Sequence, residues 1–193
     1  MKSIGWILCC VLAVPASALA QSDTRPVPAT PPPAQDAGPT VPHTKLHVSG
    51  EVYIGERAPD FELDASNGHS LLLSSTRGDW VLLVFDDRKE SLHDLKAKAD
   101  EARSLGVKMI GVCDEKAYVL KGWADREQMP FLLLADPTGE ISAMYGLYDG
   151  ERSTTGPGFV LVDRGGIVRM ALLGQRLPAD DILRLARFAV TGS

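Results

Sequence analysis

Cysteine is scarce in this chain, and its distribution restricts the available chemistry. The 193 residues contain three cysteines, and two of them, Cys9 and Cys10, lie near the N-terminus. Cys113 has no second cysteine in the rest of the chain, so an internal disulfide is excluded there once the N-terminal segment is removed. His43 and His47 are four residues apart but lie in a proline-rich stretch, where the spacing is incidental, and no other grouping of histidines and cysteines suggests a metal site. We therefore expect no metal ion and no cofactor.

Long hydrophobic runs and excess positive charge are also lacking. The longest apolar run, from Ile4 to Val14, is shorter than the ~20 residues that a bilayer-spanning helix needs. The formal net charge is -5 at pH 7, from 25 acidic and 20 basic residues. A net acidic chain gives no reason to expect nucleic acid or anionic lipid as a partner. No glycine-rich loop suggests a nucleotide.

The first fifty residues are predicted to precede the folded domain. Lys2, the apolar run and the Ala18–Ala20 cleavage pattern predict a signal peptide at residues 1–20 that is cut after Ala20. Residues 21–50 contain seven prolines and almost no large apolar side chains, which is typical of a disordered linker. We expect an exported protein, periplasmic or secreted, with no membrane anchor after cleavage and a single domain at residues 51–190.

Apolar runs alternate with helical patterns in residues 51–190, which predicts an α/β domain. The predicted elements, in chain order, are a hairpin at 61–63 and 71–73 around Asn67-Gly68, a buried strand at 80–85, a helix at 88–105, a buried strand at 107–112, a helix at 115–128, a strand at 131–134, a short helix at 140–145, a hairpin of 159–162 with 167–172, and a helix from Pro178. Tyr118 and Trp123 are predicted core anchors of the second long helix, and Leu185 lies on the predicted buried face of the last.

Three motifs carry a resemblance to a known family. They are the G-x-x-A-P-D-F segment at Gly55–Phe61, the Pro130-Phe131 pair before Leu132–Pro137, and the segment Gly158–Asp163. With them, residues 51–190 resemble the redoxin branch of the thioredoxin fold, the peroxiredoxins of the alkyl hydroperoxide reductase and thiol-specific antioxidant type. The resemblance implies a thioredoxin-like α/β fold with an N-terminal β-hairpin and a central mixed sheet flanked by helices. It also implies thiol-dependent antioxidant or oxidoreductase activity.

The residues that such proteins use for peroxide reduction are missing at the matching positions. The resemblance implies a Pro-x-x-x-Thr-x-x-Cys segment after a central strand and an arginine before a later one. Here Phe85 is followed by Asp86–Glu90, which contains no sulfur, and Thr155–Gly158 stands where the arginine should be, with Arg152 a few residues early. A reactive thiolate needs a helix N-terminus and a nearby cation. We therefore predict that the standard activity is lost or badly reduced.

The strand end after Phe85 remains a candidate binding rim for a protein or peptide partner. The rim residues that we predict are Asp86, Asp87, Glu90, His93 and Pro157. Asp87 and Glu90 can instead serve as helix caps, while Glu90 with His93, three apart on one helix face, could bind a cation or move a proton. Pro157 matches, within about a residue, the proline that faces the active site in thioredoxin folds, or it is an ordinary loop proline.

Cys113 is the only candidate for a catalytic thiol. It ends a predicted parallel strand, at the sheet edge where α/β proteins place their sites. The acidic residues Asp114 and Glu115 follow it and would raise the pKa of its thiol. The leading interpretation is a degenerate, non-catalytic binding module. The alternative is a single-cysteine thiol oxidoreductase or peroxidase that works through Cys113.

Overall fold

The computed structural model describes residues 52–192, so the predicted signal peptide and linker lie outside the described residues. The strands are β1 (Glu62–Asp64), β2 (Ser70–Leu72), β3 (Trp80–Phe85), β4 (Val107–Cys113), β5 (Leu132–Ala135), β6 (Tyr148–Asp149), β7 (Thr154–Thr155), β8 (Gly158–Val162) and β9 (Val168–Leu173). The helices are α1 (Lys89–Leu92), α2 (Ala99–Ser104), α3 (Ala117–Glu127), α4 (Glu140–Met144) and α5 (Ala179–Thr191), with 3₁₀ turns at Leu73–Thr76 and His93–Lys98.

A five-stranded mixed sheet in the order β5-β4-β3-β8-β9 forms the centre of the domain. Strands β3, β4 and β5 are parallel, whereas β8 is antiparallel to both β3 and β9. All six residues of β3 are buried, which explains why this strand reads as an unbroken apolar run. Its side chains alternate between two cores, with Leu82 on one face of the sheet and Leu83 on the other. The predicted thioredoxin-like α/β fold is confirmed.

The predicted N-terminal hairpin is also confirmed. β1 and β2 pair antiparallel, and Gly68 adopts a φ of +87° that the turn requires. The Asn67 carboxamide accepts a hydrogen bond of 3.0 Å from the amide of His69, which holds the turn closed. The hairpin joins the domain through Ala65, which forms a bridge to Leu134 of β5.

The prediction of one continuous helix over residues 88–105 is wrong. The chain instead forms α1, a 3₁₀ turn and α2 in succession. A 3₁₀ turn places residues three apart on the same side, so Leu92 and Leu95 are both buried on the sheet. Lys96 anchors the turn, since its ammonium donates a 2.6 Å hydrogen bond to the carbonyl of Glu127 at the end of α3.

Two predicted core positions on helices are wrong as well. Tyr118 is 72% exposed, because it lies five residues, about 140° around the helix, from the buried Trp123. Trp123 itself is confirmed as a core anchor. On α5 the buried positions are Ile182, Leu183 and Ala186, and Leu185 faces away from them. Within residues 52–192 no helix combines the length and apolar character needed to cross a membrane.

Candidate binding site

Sheet register brings the predicted rim to one edge of the domain. Phe85, the last residue of β3, is paired with Val112 of β4 on one side and with Gly158 of β8 on the other. The amide of Asp86 continues the ladder with a 3.1 Å hydrogen bond to the Val112 carbonyl. Asp86 and Pro157 therefore lie at the same sheet edge as the end of β4.

A buried carboxylate dominates this edge. Asp86 is only 3% exposed, and Arg176, from the loop after β9, pairs with it through two hydrogen bonds. Nε lies 2.8 Å from one carboxylate oxygen and Nη2 lies 2.7 Å from the other. The same Nη2 is 3.0 Å from Asp87. Two-point pairing of this kind is among the strongest charge-assisted interactions in proteins, so it fixes the Arg176 loop against the start of α1.

The pKa values of the two aspartates move in opposite directions. Burial acts to raise the pKa of Asp86, but hydrogen bonds from Arg176 and from the Arg88 amide outweigh it and leave the pKa lowered. For Asp87, burial and the adjacent Asp86 carboxylate raise the pKa despite the attraction of Arg176. Arg176 therefore favours the ionised form of Asp86, whereas the neighbouring carboxylate disfavours ionisation of Asp87.

The cap predicted for the first helix is placed on a different residue. The Oδ1 atom of Asp86, rather than Asp87, accepts a 3.0 Å hydrogen bond from the Arg88 amide at the start of α1. Arg88 holds the cap position and makes no side-chain capping bond, so the predicted Glu90 capping box is absent there. The prediction failed because the Asp87 side chain is turned toward Arg176. A local sequence pattern cannot predict this ion pair, since Arg176 is distant in the sequence.

A small pocket of about 50 Å³ opens beside the Asp86–Arg176 pair. Apolar side chains form most of its wall, and the residues that line it include Leu92, Leu95, Phe159, Leu177 and Ile182. Its polar lining comes from Asp86, Ser91, Asp94, Gln175 and Arg176. Such a combination of an apolar wall and a few polar groups suits the insertion of a single side chain.

Pro157 also lines this pocket. The amide of Gly156, just before it, donates a 2.5 Å hydrogen bond to the Leu147 carbonyl, and the neighbouring Thr155 pairs with Tyr148 between β7 and β6. The backbone next to Pro157 is therefore already hydrogen-bonded within the domain. An extended partner would have to engage the pocket through its side chains rather than through this amide.

Glu90 and His93 are not brought together. The Glu90 side chain is exposed and lies 3.4 Å from the Lys89 ammonium. The His93 ring lies edge-on to Trp123, with Nε2 3.7 Å from Glu127. Neither residue lines the pocket, and no cluster of three or more potential metal ligands occurs within residues 52–192. Their separate partners leave no shared site for a cation or a proton.

Cys113 lies at the same sheet edge but is inaccessible. It is fully buried in the core between the sheet and the helices. Burial first, and then the negative charges of Asp86, Asp114 and Glu115, strongly raise the pKa of its thiol. A thiol in these surroundings stays protonated at neutral pH and is a poor nucleophile.

Sequence reasoning missed Arg176, Ser91 and Asp94. Nothing local marks Arg176, which is 90 residues from Asp86 in the chain. Motif spacing could have found the other two residues. If Pro-x-x-x-Thr-x-x-Cys is counted from Asp87, the threonine falls on Ser91 and the cysteine on Asp94, and both line the pocket. The nearest arginine considered from sequence, Arg152, pairs instead with Asp149 on the surface.

Comparison with known proteins finds that this chain is similar to peroxiredoxins. The chain is 31% identical over 134 residues to a selenocysteine-containing peroxiredoxin, PrxU, of Peptoclostridium acidaminophilum, covering 61% of this chain and 66% of that protein, just under two thirds of its length. It is 30% identical over 151 residues to peroxiredoxin 2 of Thermoplasma acidophilum, covering 69% of this chain and 74% of that protein.

Solved structures and a family profile agree with these relatives. The crystal structure of Enterococcus faecalis AhpC superposes with a TM-score of 0.66 at 20% identity, covering 74% of this chain and 98% of that chain. Peroxidoxin BcpB of Mycobacterium tuberculosis superposes with a TM-score of 0.65 at 18% identity and the same coverage, which supports the fold. The profile of the AhpC/TSA family matches residues 54–171, more than half of the chain. The chain therefore belongs to the AhpC/TSA family and is a peroxiredoxin-like protein of the thioredoxin fold.

Proposed function

We propose that this protein is a non-catalytic member of the AhpC/TSA family, which uses the rim beside Asp86 to bind a protein or peptide partner. The single observation that carries the proposal is the Asp86–Arg176 pair at the strand end where the family resemblance calls for a thiolate. A guanidinium already neutralised by a buried carboxylate has little positive charge to offer a thiolate or a peroxide.

The absence of an accessible thiol supports the same proposal. Reduction of a peroxide begins with thiolate attack on the O–O bond, which leaves sulfenic acid on the sulfur and releases water or an alcohol. Cys113 is the one cysteine among the described residues, and it is fully buried. The alternative, an oxidoreductase or peroxidase that uses Cys113, would require the domain to open before reagents could reach the sulfur.

The pocket indicates what the partner presents. Its wall is largely apolar, and the exposed Asp94 carboxylate at its edge makes no ion pair with any described residue. Because Arg176 is already engaged by Asp86 and Asp87, the pocket has no free cation to attract an anionic group. We propose an apolar side chain as the anchor of the partner, held by burial against Leu92, Leu177 and Ile182.

Peroxide consumption separates the proposed function from its alternative. The purified protein and a Cys113→Ser variant are mixed with hydrogen peroxide and a reducing thiol, and loss of peroxide is followed over time. We expect both proteins to match a control that contains an ordinary free thiol. Titration of the native protein with a thiol reagent should be slow, and titration after unfolding should be rapid and complete. Fast turnover that depends on Cys113 would establish the enzyme instead.

Crosslinking tests the binding rim. A photo-crosslinking amino acid is placed at Ser91 in the pocket or, as a matched control, at the exposed Tyr118 on α3. We expect a discrete crosslinked partner from Ser91 alone in cells that make the protein. The same product from both positions, or none from Ser91, would argue against a partner at this rim.

Export is part of the proposal and rests on the N-terminal pattern of residues 1–20. A periplasmic or secreted location would separate this domain from cytoplasmic thiol reductants, which is consistent with a role that needs no reducible cysteine. Cell fractionation with an antibody against the domain tests the location.

A further inference from the structure

Within residues 52–192, three arginines have no carboxylate oxygen within 4.0 Å, and all three lie around one turn. Every other arginine in residues 52–192 has a carboxylate oxygen within 4.0 Å. The exceptions are Arg57, Arg77 and Arg164. They surround the Asp163–Gly166 turn that joins β8 to β9, at the opposite end of β8 from Pro157. In a chain of net charge -5, this turn gathers three arginines that make no close ion pair.

Backbone hydrogen bonds hold the three arginine-bearing segments together. The amide of Ala58, next to Arg57, donates 2.9 Å to the Gly166 carbonyl, and Arg57 itself forms a bridge to Ile167. The amide of Gly78, next to Arg77, donates 2.9 Å to the carbonyl of Arg164. The positions of the arginines are therefore built into the fold rather than left to mobile loops.

The guanidinium groups of Arg57 and Arg77 converge over Gly166. The point where a Cβ would stand on this glycine lies 3.6 Å from Nε of Arg77 and 3.7 Å from Nη1 of Arg57. The two nitrogens are thus no farther apart than the sum of these distances. Between them lies a small cavity of about 20 Å³, lined also by Asp60, Ser74 and Asp163. Because guanidinium–oxyanion hydrogen bonds are about 2.8 Å long, one tetrahedral oxyanion can reach both nitrogens.

The two carboxylates at this cavity have other partners. Asp163 accepts hydrogen bonds from the amides of Gly165 and Ile167 and pairs with Arg169 at 2.6 Å. Asp60 accepts hydrogen bonds from the amides of Phe61 and Ser74. Burial acts to raise the pKa of Asp60, but hydrogen bonds from Ser74, helped by the positive charge of Arg77, lower it. Neither carboxylate has an oxygen within 4.0 Å of the Arg57 or Arg77 guanidinium, so the N–H donors of both groups stay available.

We propose that Arg57 and Arg77 form a binding site for a phosphate group. A tetrahedral dianion offers acceptor oxygens on several sides, so it can accept hydrogen bonds from two guanidinium groups that approach from different directions. A planar carboxylate suits the site less well, because one arginine can hold it alone. The site goes beyond the proposed function, since it lies away from the Asp86 pocket. A free phosphate and the phosphate of a lipid headgroup share this chemistry, and the test separates them.

Free phosphate is tested by titration at constant ionic strength, with sodium chloride as the compensating salt. Amide NMR shifts of Gly78, Gly165 and Gly166 report on the site. We expect a saturable shift in the wild type and affinity weakened about tenfold in each of Arg57→Gln and Arg77→Gln, since one charge-assisted contact is lost in each. Arg126→Gln, an exposed arginine on α3, serves as the control and should match the wild type.

The headgroup is tested by sedimentation with phosphatidylcholine vesicles, with and without phosphatidic acid. Cosedimentation that depends on phosphatidic acid and disappears in the Arg57→Gln/Arg77→Gln double variant would support a headgroup site, and binding of inorganic phosphate alone would support a soluble ligand. The proposal is overturned if neither probe binds. It is also overturned if the Arg57→Gln and Arg77→Gln variants bind as well as the Arg126→Gln control.

Discussion

Removal of Arg176 should destabilise the domain more than removal of the carboxylate that it binds. The Asp86 side chain is 5% exposed in the wild type, and in Arg176→Met it would keep the Arg88 amide as a donor but lose both guanidinium hydrogen bonds. Breaking a fully buried pair in this way costs about 3–5 kcal/mol. The Arg176 side chain is 42% exposed, so water screens part of the interaction, and we expect a loss of about 2 kcal/mol at pH 7.

Substitution of Asp86 should destabilise the domain less than substitution of Arg176. In Asp86→Asn, Arg176 can still contact Asp87 and reach water, and the amide oxygen of the asparagine can still accept the hydrogen bond from Arg88. We expect a loss of about 1 kcal/mol, the typical net value of a hydrogen bond. Urea unfolding of the wild type, both single variants and the double variant would give the coupling energy of the pair. Arg152→Met, which removes a guanidinium on a 72% exposed side chain at 3.6 Å from Asp149, is the control and should change stability by less than about 0.5 kcal/mol.

The pH dependence adds a second check on the same reasoning. The folded-state pKa of Asp86 lies below its ordinary value, so the pair stabilises the fold above about pH 4, and this stabilisation is lost as the pH falls through the lowered pKa. The difference in free energy of unfolding between the wild type and Arg176→Met should therefore be largest near neutral pH and should decrease in acid. Equal stabilities at neutral pH, or a gap that does not change with pH, would refute the assignment of Asp86 as the anion.

Three further predictions concern the pocket, the core and the N-terminal segment. Asp94→Cys, which places a thiol where the motif spacing puts the cysteine, should not restore peroxide reduction above that of an ordinary thiol, because Arg176 is already paired with Asp86 and Asp87; rapid peroxide consumption by this variant would contradict that view. Gly111→Ala should lower the free energy of unfolding by about 1–3 kcal/mol, because its Cβ would stand 2.5 Å from Leu92 and 2.8 Å from Leu133 in the core; Gly122→Ala, which meets open space on α3, is the matched control in urea melts. Mass spectrometry of the exported protein should find Gln21 as the first residue, and a mature form that retains Cys9 or Cys10 would count against the predicted cleavage.

The strands of the domain were predictable because their burial is recorded in local sequence. Trp80–Phe85 is buried along its whole length, and an apolar run is the signature of such a strand. The Asn67-Gly68 turn and the glycine-rich Asp163–Gly166 turn carry their own conformational requirement, since Gly68 and Gly166 both have positive φ. The helices were less predictable, because burial of Tyr118 and Leu185 depends on how each helix is rotated against the sheet.

The position of the candidate site was predictable from the sequence, but the contacts within it were not. The end of β3 is an edge where α/β folds place their sites, so Asp86 could be identified from topology. Its partner could not, because Arg176 reaches it from a loop 90 residues later, and sequence patterns report on neighbours three or four residues apart. The same limit applies to His93, whose nearest carboxylate is Glu127 of α3 rather than Glu90.

The Asp86–Arg176 pair also sets the minimum change that could return peroxide chemistry to this pocket. A thiolate at Ser91 or Asp94 would have to compete with Asp86 and Asp87 for one guanidinium, and the nearby negative charges would raise the pKa of the new thiol. Replacing Asp86 alone would leave Arg176 in contact with Asp87 and would supply no sulfur. Both changes are needed together, and replacing Asp86 would also remove the ion pair that holds the Arg176 loop against the start of α1. The Asp86–Arg176 ion pair therefore stabilises the rim and opposes peroxide chemistry there. It does not obstruct the binding of a partner side chain in the neighbouring pocket.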